Sequence, residues 1–248
     1  MRILLINPNT THALTEKLST AARMGLPPDA ELIPVTAETG FPYISSRAEA
    51  QIVGGTVLDT IASYRDEIDA AVIAAFGDPG LLAARELFDL PVTGMTEASM
   101  LTACMLGQRF AFVTFTRHLA PWYGEQVRQA ELSARYAGVF TPDAPFGAID
   151  KVDADLREVL IAECNVAVEA GADVLILSGA PLAGMAASLA GEVTAMLLDP
   201  VQAAVQQAAT LARIAPKGAS GGSFARPPGK PSTGLPNALA GHIARCGD

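Results

Sequence analysis

Two carboxylates, several hydroxyls and two carboxamides stand where an apolar run gives way to a helix-like stretch. Asn7-Pro8-Asn9-Thr10-Thr11 is rich in helix-capping side chains. The backbone N–H groups of such a helix start can equally hold a carboxylate or a ring carbonyl. Thr114 and Thr116 offer matching hydroxyls later in the chain, and Ser178 offers another at the end of an apolar run. Asp78, in Gly77-Asp78-Pro79-Gly80, reads either as an N-cap or as a reactive carboxylate, with Pro79 suited to the first turn of the helix that follows. Glu97 opens another helix and gains from its macrodipole whether or not it does chemistry. Arg47 is a carboxylate clamp or a surface residue on a first helical turn. The loop before it, Thr39–Ser46, mixes aromatic and small polar residues as a lid would. His12 and His118 lie just inside helices and read as solvated.

The thiols sit elsewhere. Cys104 and Cys164 fall in apolar helical stretches and read as small buried hydrophobes, while Cys246 lies near the chain end. Three cysteines without a secretory leader point to a reducing, cytoplasmic setting. No Cys-x-x-Cys pair or histidine cluster offers a metal site. A net charge of −9 argues against nucleic acid, which needs a basic stripe, and leaves a small-molecule substrate as the expected partner. No apolar run approaches the ~20 residues of a membrane span. Met1–Pro8 turns polar too early for a signal peptide and reads as a first strand. A homo-oligomer is left open.

Short apolar runs alternate with helix-like segments. Strands are expected at Ile3–Asn7, Ala30–Val35, Ala70–Ala75, Val92–Met95, Phe110–Phe115, Tyr136–Phe140 and Val174–Ser178. The helices expected between them include Thr11–Met24, Arg47–Tyr64, Leu119–Leu132 and Val201–Ala212. Such alternation means parallel sheets with right-handed crossovers, an α/β fold. From about Ala215 the chain turns rich in Gly and Pro and reads as a mobile tail, although Leu235, Leu239 and Ile243 keep a packed arm open.

The chain also echoes itself. Ile6-Asn7-Pro8-Asn9-Thr10 and Phe112-Val113-Thr114-Phe115-Thr116 each close a strand and open a helix, 106 positions apart. Val72–Pro79 is echoed in the same way by Leu175–Pro181. Two matches at nearly one offset point to a duplicated unit. The expected lobes are residues 1–93 with 198–213, and 94–197, followed by a tail over 214–248 that is partly ordered at most. Ligands bind outside the carboxyl ends of parallel strands, so all four echoed turns should border one cleft between the lobes.

At these turns the sequence resembles the aspartate/glutamate and hydantoin racemase superfamily, most closely its hydantoin racemase branch. The carriers are Ile6-Asn7-Pro8-Asn9-Thr10, Ala75-Phe76-Gly77-Asp78-Pro79-Gly80-Leu81 and Pro91-Val92-Thr93-Gly94-Met95-Thr96-Glu97-Ala98, with Arg109–Thr114, Ala172–Leu177 and Gly222–Pro228 following in order. The resemblance implies two α/β lobes with a site between them and no cofactor or metal. It also implies a cysteine from each half, one removing the Cα proton and the other returning one. This chain carries Ala75 at the first of those places and Gly179 at the second. Neither can move a proton. With Phe76 and Ala180, these positions are expected to touch the substrate.

Without thiols, hydrolytic or lyase chemistry on a hydantoin-like ring or small carboxylate is the leading expectation, desulfurisation of a thiohydantoin being one form and decarboxylation another. Asp78 or Glu97 would activate water while Asn9, Thr10, Thr114 and Ser178 steady the developing charge. Racemisation with non-cysteine bases is the first alternative. A catalytically silent binding protein is the second.

Overall fold

The computed structural model describes residues 1–246. Strands β1 (Arg2–Asn7), β2 (Glu31–Thr36), β3 (Ala70–Ile73) and β4 (Val92–Gly94) form a parallel sheet ordered β2-β1-β3-β4. Strands β5 (Phe110–Val113), β6 (Tyr136–Phe140), β7 (Val174–Leu177) and β8 (Met196–Leu198) form a second parallel sheet ordered β6-β5-β7-β8. The two orders repeat one pattern, so β1 matches β5 and β3 matches β7. The sequence echoes sit on these counterparts, and the expected pair of α/β lobes is what the chain forms. Strand β8 escaped the sequence reading because its apolar run is three residues long and Met196 is exposed.

Helices α1 (His12–Gly25), α2 (Arg47–Tyr64), α3 (Leu81–Leu87) and α4 (Met95–Leu106) follow the strands of the first sheet. In the second half come α5 (Ala120–Gln129), α6 (Val152–Asp155), α7 (Arg157–Glu169) and α8 (Met185–Ser188), then α9 (Pro200–Ile214) and α10 (Asn237–Ala244). Alternating residues of β1 serve opposite faces, as a pleated strand requires. Leu4 and Ile6 cluster with Val57 and Ile61 of α2 and Leu87 of α3, whereas Ile3 and Leu5 cluster with Leu18 of α1 and Ala204 and Ala208 of α9. Each fully buried leucine, isoleucine or valine among them stabilises the fold by about 1.5–3 kcal/mol.

Caps fix the helix starts nearest the cleft. Ser46 Oγ accepts from the Glu49 N–H at 3.2 Å while Glu49 Oε2 accepts from the Ser45 N–H at 2.6 Å, closing the start of α2 reciprocally. Asp199 caps α9 through the Val201 N–H at 3.0 Å, ahead of Pro200. Ion pairs that join the lobes among the described residues include Lys17 Nζ to Asp153 Oδ1 at 2.6 Å and Arg47 Nε to Glu125 Oε2 at 2.7 Å.

The Gly/Pro-rich stretch packs as an arm on the first lobe. Arg226 donates to the carbonyls of Phe88 at 2.7 Å and Arg85 at 2.9 Å and to Asp89 Oδ1 at 3.0 Å, satisfying carbonyls at the end of α3. The His242 ring stacks on Phe88 with centroids 4.6 Å apart, and Leu239 and Cys246 are buried in the same cluster. The packed arm kept open by the sequence forms through Leu239 and Ile243 but not the exposed Leu235, and composition favours a mobile tail because the arm is held by one arginine and a few apolar anchors rather than a core of its own. Positions 247 and 248 of the expected tail lie outside the described residues. Among the described residues, no helix is long and apolar enough to cross a membrane.

Candidate active site

The carboxyl ends of β1, β3 and β7 lead into turns that meet between the lobes. Asn9, Tyr43, Ile44, Ala75 and Phe76 from the first lobe, with Tyr123, Gly179 and Ala180 from the second, enclose a small cavity. Ala75 and Gly179 therefore share one hollow. Its volume is ≈ 10 Å³, room for about one water, so a ring can enter only if the walls part.

Local hydrogen bonds hold the walls. Asn7 is fully buried, and its Nδ2 donates to Asn9 Oδ1 at 3.0 Å and to Thr15 Oγ1 at 2.9 Å. Asn9 Oδ1 also accepts from the Thr11 N–H at 3.0 Å, which fixes its amide and leaves Nδ2 as the unused donor at the wall. The Thr10 N–H donates to the Phe41 carbonyl at 2.9 Å, and Thr11 Oγ1 donates to the Pro42 carbonyl at 2.7 Å. These bonds pin the loop that carries Tyr43 and Ile44. Opposite, Gly179 has φ +118, a left-handed conformation natural to glycine. Burial raises the phenols of Tyr43 and Tyr123 above the usual tyrosine range, so both stay protonated at neutral pH.

Several expected site residues have structural duties instead. Ser178 is buried and its Oγ donates to the Ile176 carbonyl at 3.0 Å. Thr114 Oγ1 donates to the Ser178 carbonyl at 2.9 Å, tying β5 to the turn after β7. Thr116 precedes the turn Arg117–Leu119 without capping it through its side chain, and Thr10 meets the lid loop through its backbone. Neither is part of the cavity wall.

Asp78, Glu97 and Arg47 line a different space, an outer groove of ≈ 630 Å³ beyond the Trp122 ring. Asp78 Oδ1 accepts from the Thr96 N–H at 2.9 Å and Oδ2 from the Glu97 N–H at 2.8 Å, so this carboxylate caps α4. Burial pushes its pKa up to about 7 against those two donors. Glu97 is engaged by Arg85, Nη1 to Oε1 being 3.0 Å, and Arg47 is committed to Glu125. The two carboxylates expected to activate water thus face away from the cavity, because helix α4 and Arg85 claim them first.

Tyr123 was missed by the sequence reading. Its only signal was adjacency to Trp122 on α5, and a helix stripe cannot reveal that one ring faces a groove while its neighbour reaches a cavity. Tyr43 and Ile44 lie in the stretch expected to act as a lid. Among the described residues no thiol lines the cavity: Cys104 is half-buried on α4, Cys164 is buried on α7 with its pKa raised to about 12, and Cys246 is buried in the arm. Burial is the main cause of the Cys164 shift.

Comparison with known proteins gives a consistent picture. The sequence model of the Asp/Glu/Hydantoin racemase family matches residues 3–208. The chain is 30% identical over 230 residues to the hydantoin racemase of Paenarthrobacter aurescens, covering 92% of this chain and 98% of that one. It is 34% identical over 221 residues to the hydantoin racemase of Pseudomonas sp. (strain NS671), covering 88% of each. The structure of allantoin racemase from Klebsiella pneumoniae superposes with a TM-score of 0.90 at 32% identity, over 96% of this chain and 98% of that one.

Proposed function

The chain belongs to the Asp/Glu/hydantoin racemase family, and from that premise we propose that it is a cofactor-independent isomerase that exchanges the Cα proton of a hydantoin-like ring without thiols. One observation carries the reading: Ala75 and Gly179, where the resemblance expects proton-carrying cysteines, line one cavity at the strand ends.

The substrate class follows from the walls. No formally charged side chain lines the cavity among the described residues, and Arg47 is held outside by Glu125. A neutral cyclic ureide suits such a hollow better than an acidic amino acid, whose carboxylates would be desolvated without a paired cation. The Cα–H of a hydantoin is flanked by a ring carbonyl, so its loss gives an enolate. Donors at the wall steady that oxygen, and water in the space left by the missing side chains carries the proton away and back. Hydrolysis or lyase chemistry, the leading expectation from sequence, is set aside. The curated relatives named above are racemases, and Asp78 and Glu97 are bound elsewhere.

The test is incubation with 5-substituted hydantoins and allantoin in heavy water. Deuterium appearing at Cα with loss of optical rotation supports the isomerase. Ring-opened product would make it a hydrolase, and thermal stabilisation by ligand without any exchange would make it a binding protein.

A further inference from the structure

We infer that Tyr123, paired with Tyr43 across the lobe junction, is the catalytic hydrogen-bond donor that holds the enolate oxygen in this cavity. The inference rests on the isomerase reading above and names the group that serves it.

Gly179 and Tyr123 form one arrangement. A β-carbon built on Gly179 would lie 3.6 Å from Tyr123 Oη and 3.0 Å from Phe115 Cε1. A β-carbon there would press on the Phe115 ring and lie in ordinary contact with the phenol, so glycine leaves that side of the hydroxyl open to the hollow. The ring itself is fixed. It is 1% exposed and packs against Phe76 at 4.7 Å, Trp122 at 5.9 Å and Phe112 at 6.1 Å between centroids. A donor held this firmly needs no reorganisation when charge develops, which is the basis of oxyanion stabilisation.

The hydroxyl has company. The bond between the two phenols favours the ionised form of Tyr123 and disfavours that of Tyr43, so Tyr43 donates to Tyr123 Oη and leaves the Tyr123 proton free for the ligand. Tyr43 arrives from the loop between β2 and α2 and brings a second phenol beside the first.

In the step itself the Cα–H proton leaves to water and its electron pair moves into the adjacent carbonyl. The Tyr123 O–H donates a hydrogen bond to the resulting oxygen and keeps its proton. Water then returns a proton to Cα from either face. One proton leaves and one returns, and the ring is otherwise unchanged.

Tyr123→Phe and Tyr43→Phe are the test, followed by proton NMR of 5-methylhydantoin in heavy water, with thermal melting as the check on folding. Tyr123→Phe retains the packed ring and is expected to melt within a few degrees of wild type. It should lose about 100-fold in kcat with KM changed less than threefold, in line with removal of one oxyanion donor. Tyr43→Phe should lose about tenfold. Wild-type exchange with Tyr123→Phe exchanging equally fast overturns the inference and leaves the isomerase reading standing. No exchange by wild type overturns that reading and this inference with it.

Discussion

A β-carbon on Gly77 would lie 2.4 Å from the Trp122 ring, so the turn after β3 and helix α5 fit together only because position 77 carries no side chain. The same residue has φ +106, which compounds the demand for glycine. Gly77→Ala is expected to cost about 3 kcal/mol in urea unfolding, from backbone strain and overpacking together. Trp122→Ala should remove the steric part and leave the strain. A double-mutant cycle then shows a coupling of about 1 kcal/mol or more, and strict additivity would refute the contact as the cause.

The two positions lacking thiols should respond differently to receiving one. Ala75→Cys places a sulfhydryl at the cavity wall on an ordinary backbone, and should fold and raise the rate of Cα exchange. Gly179→Cys must adopt φ +118 and press on Phe115, and should lower Tm by about 5 °C, the equivalent of ~1–3 kcal/mol of strain. Equal melting temperatures for the two variants would count against the geometry at position 179.

Asp78 ionises near 3.8 in an unfolded chain and at about 7 when folded, so folding takes up a proton between those values. The stability this group contributes is complete below about pH 3.8 and is lost as pH rises through 7. Urea midpoints between pH 4.5 and 7.5 should fall with rising pH in the wild type. Asp78→Asn, which cannot titrate, should flatten that part of the slope. An unchanged slope would place the titration elsewhere.

Arg47 and Glu125 join α2 to α5 on the surface, and their pairing is expected to contribute little to global stability, about 0–1 kcal/mol. Its effect should fall on opening. Ligand association with the wild type should speed up as salt screens the pair, whereas association with Glu125→Gln should start faster and vary less with salt. Stopped-flow association at several ionic strengths distinguishes the two. Identical salt profiles would dismiss the clasp.

Arg226→Ala leaves the carbonyls of Arg85 and Phe88 without their donor. A loss of about 2 kcal/mol is expected, with earlier proteolytic cleavage between residues 215 and 236. Unchanged cleavage would mean that the arm is held by its apolar anchors alone.

The fold was legible because parallel strands buried on both faces read as short apolar runs, and because the duplication repeated the turns after β1 and β3 at β5 and β7. Of the candidate site, only the lining of the cavity was legible, Tyr123 excepted. Ala75, Phe76, Gly179 and Ala180 could be placed from the echoed turns, since backbone position alone brings them to the strand ends. Asp78, Glu97 and Ser178 could not be assigned duties from sequence. A carboxylate at a helix start looks the same whether it caps α4, pairs with Arg85 or meets a ligand. Tyr123 was invisible because facing depends on how α5 leans on the opposite lobe, a long-range relation that no local pattern encodes.

The arm also bears on the order in which the molecule comes together. The four strands of the second sheet lie in one continuous stretch from β5 to β8, whereas the first lobe waits for α9 and for Leu239 and Cys246 to fill its outer cluster. During synthesis the later lobe can therefore mature while the earlier one stays unfinished, its apolar flank uncovered. That interval is when a chaperone would have most to hold.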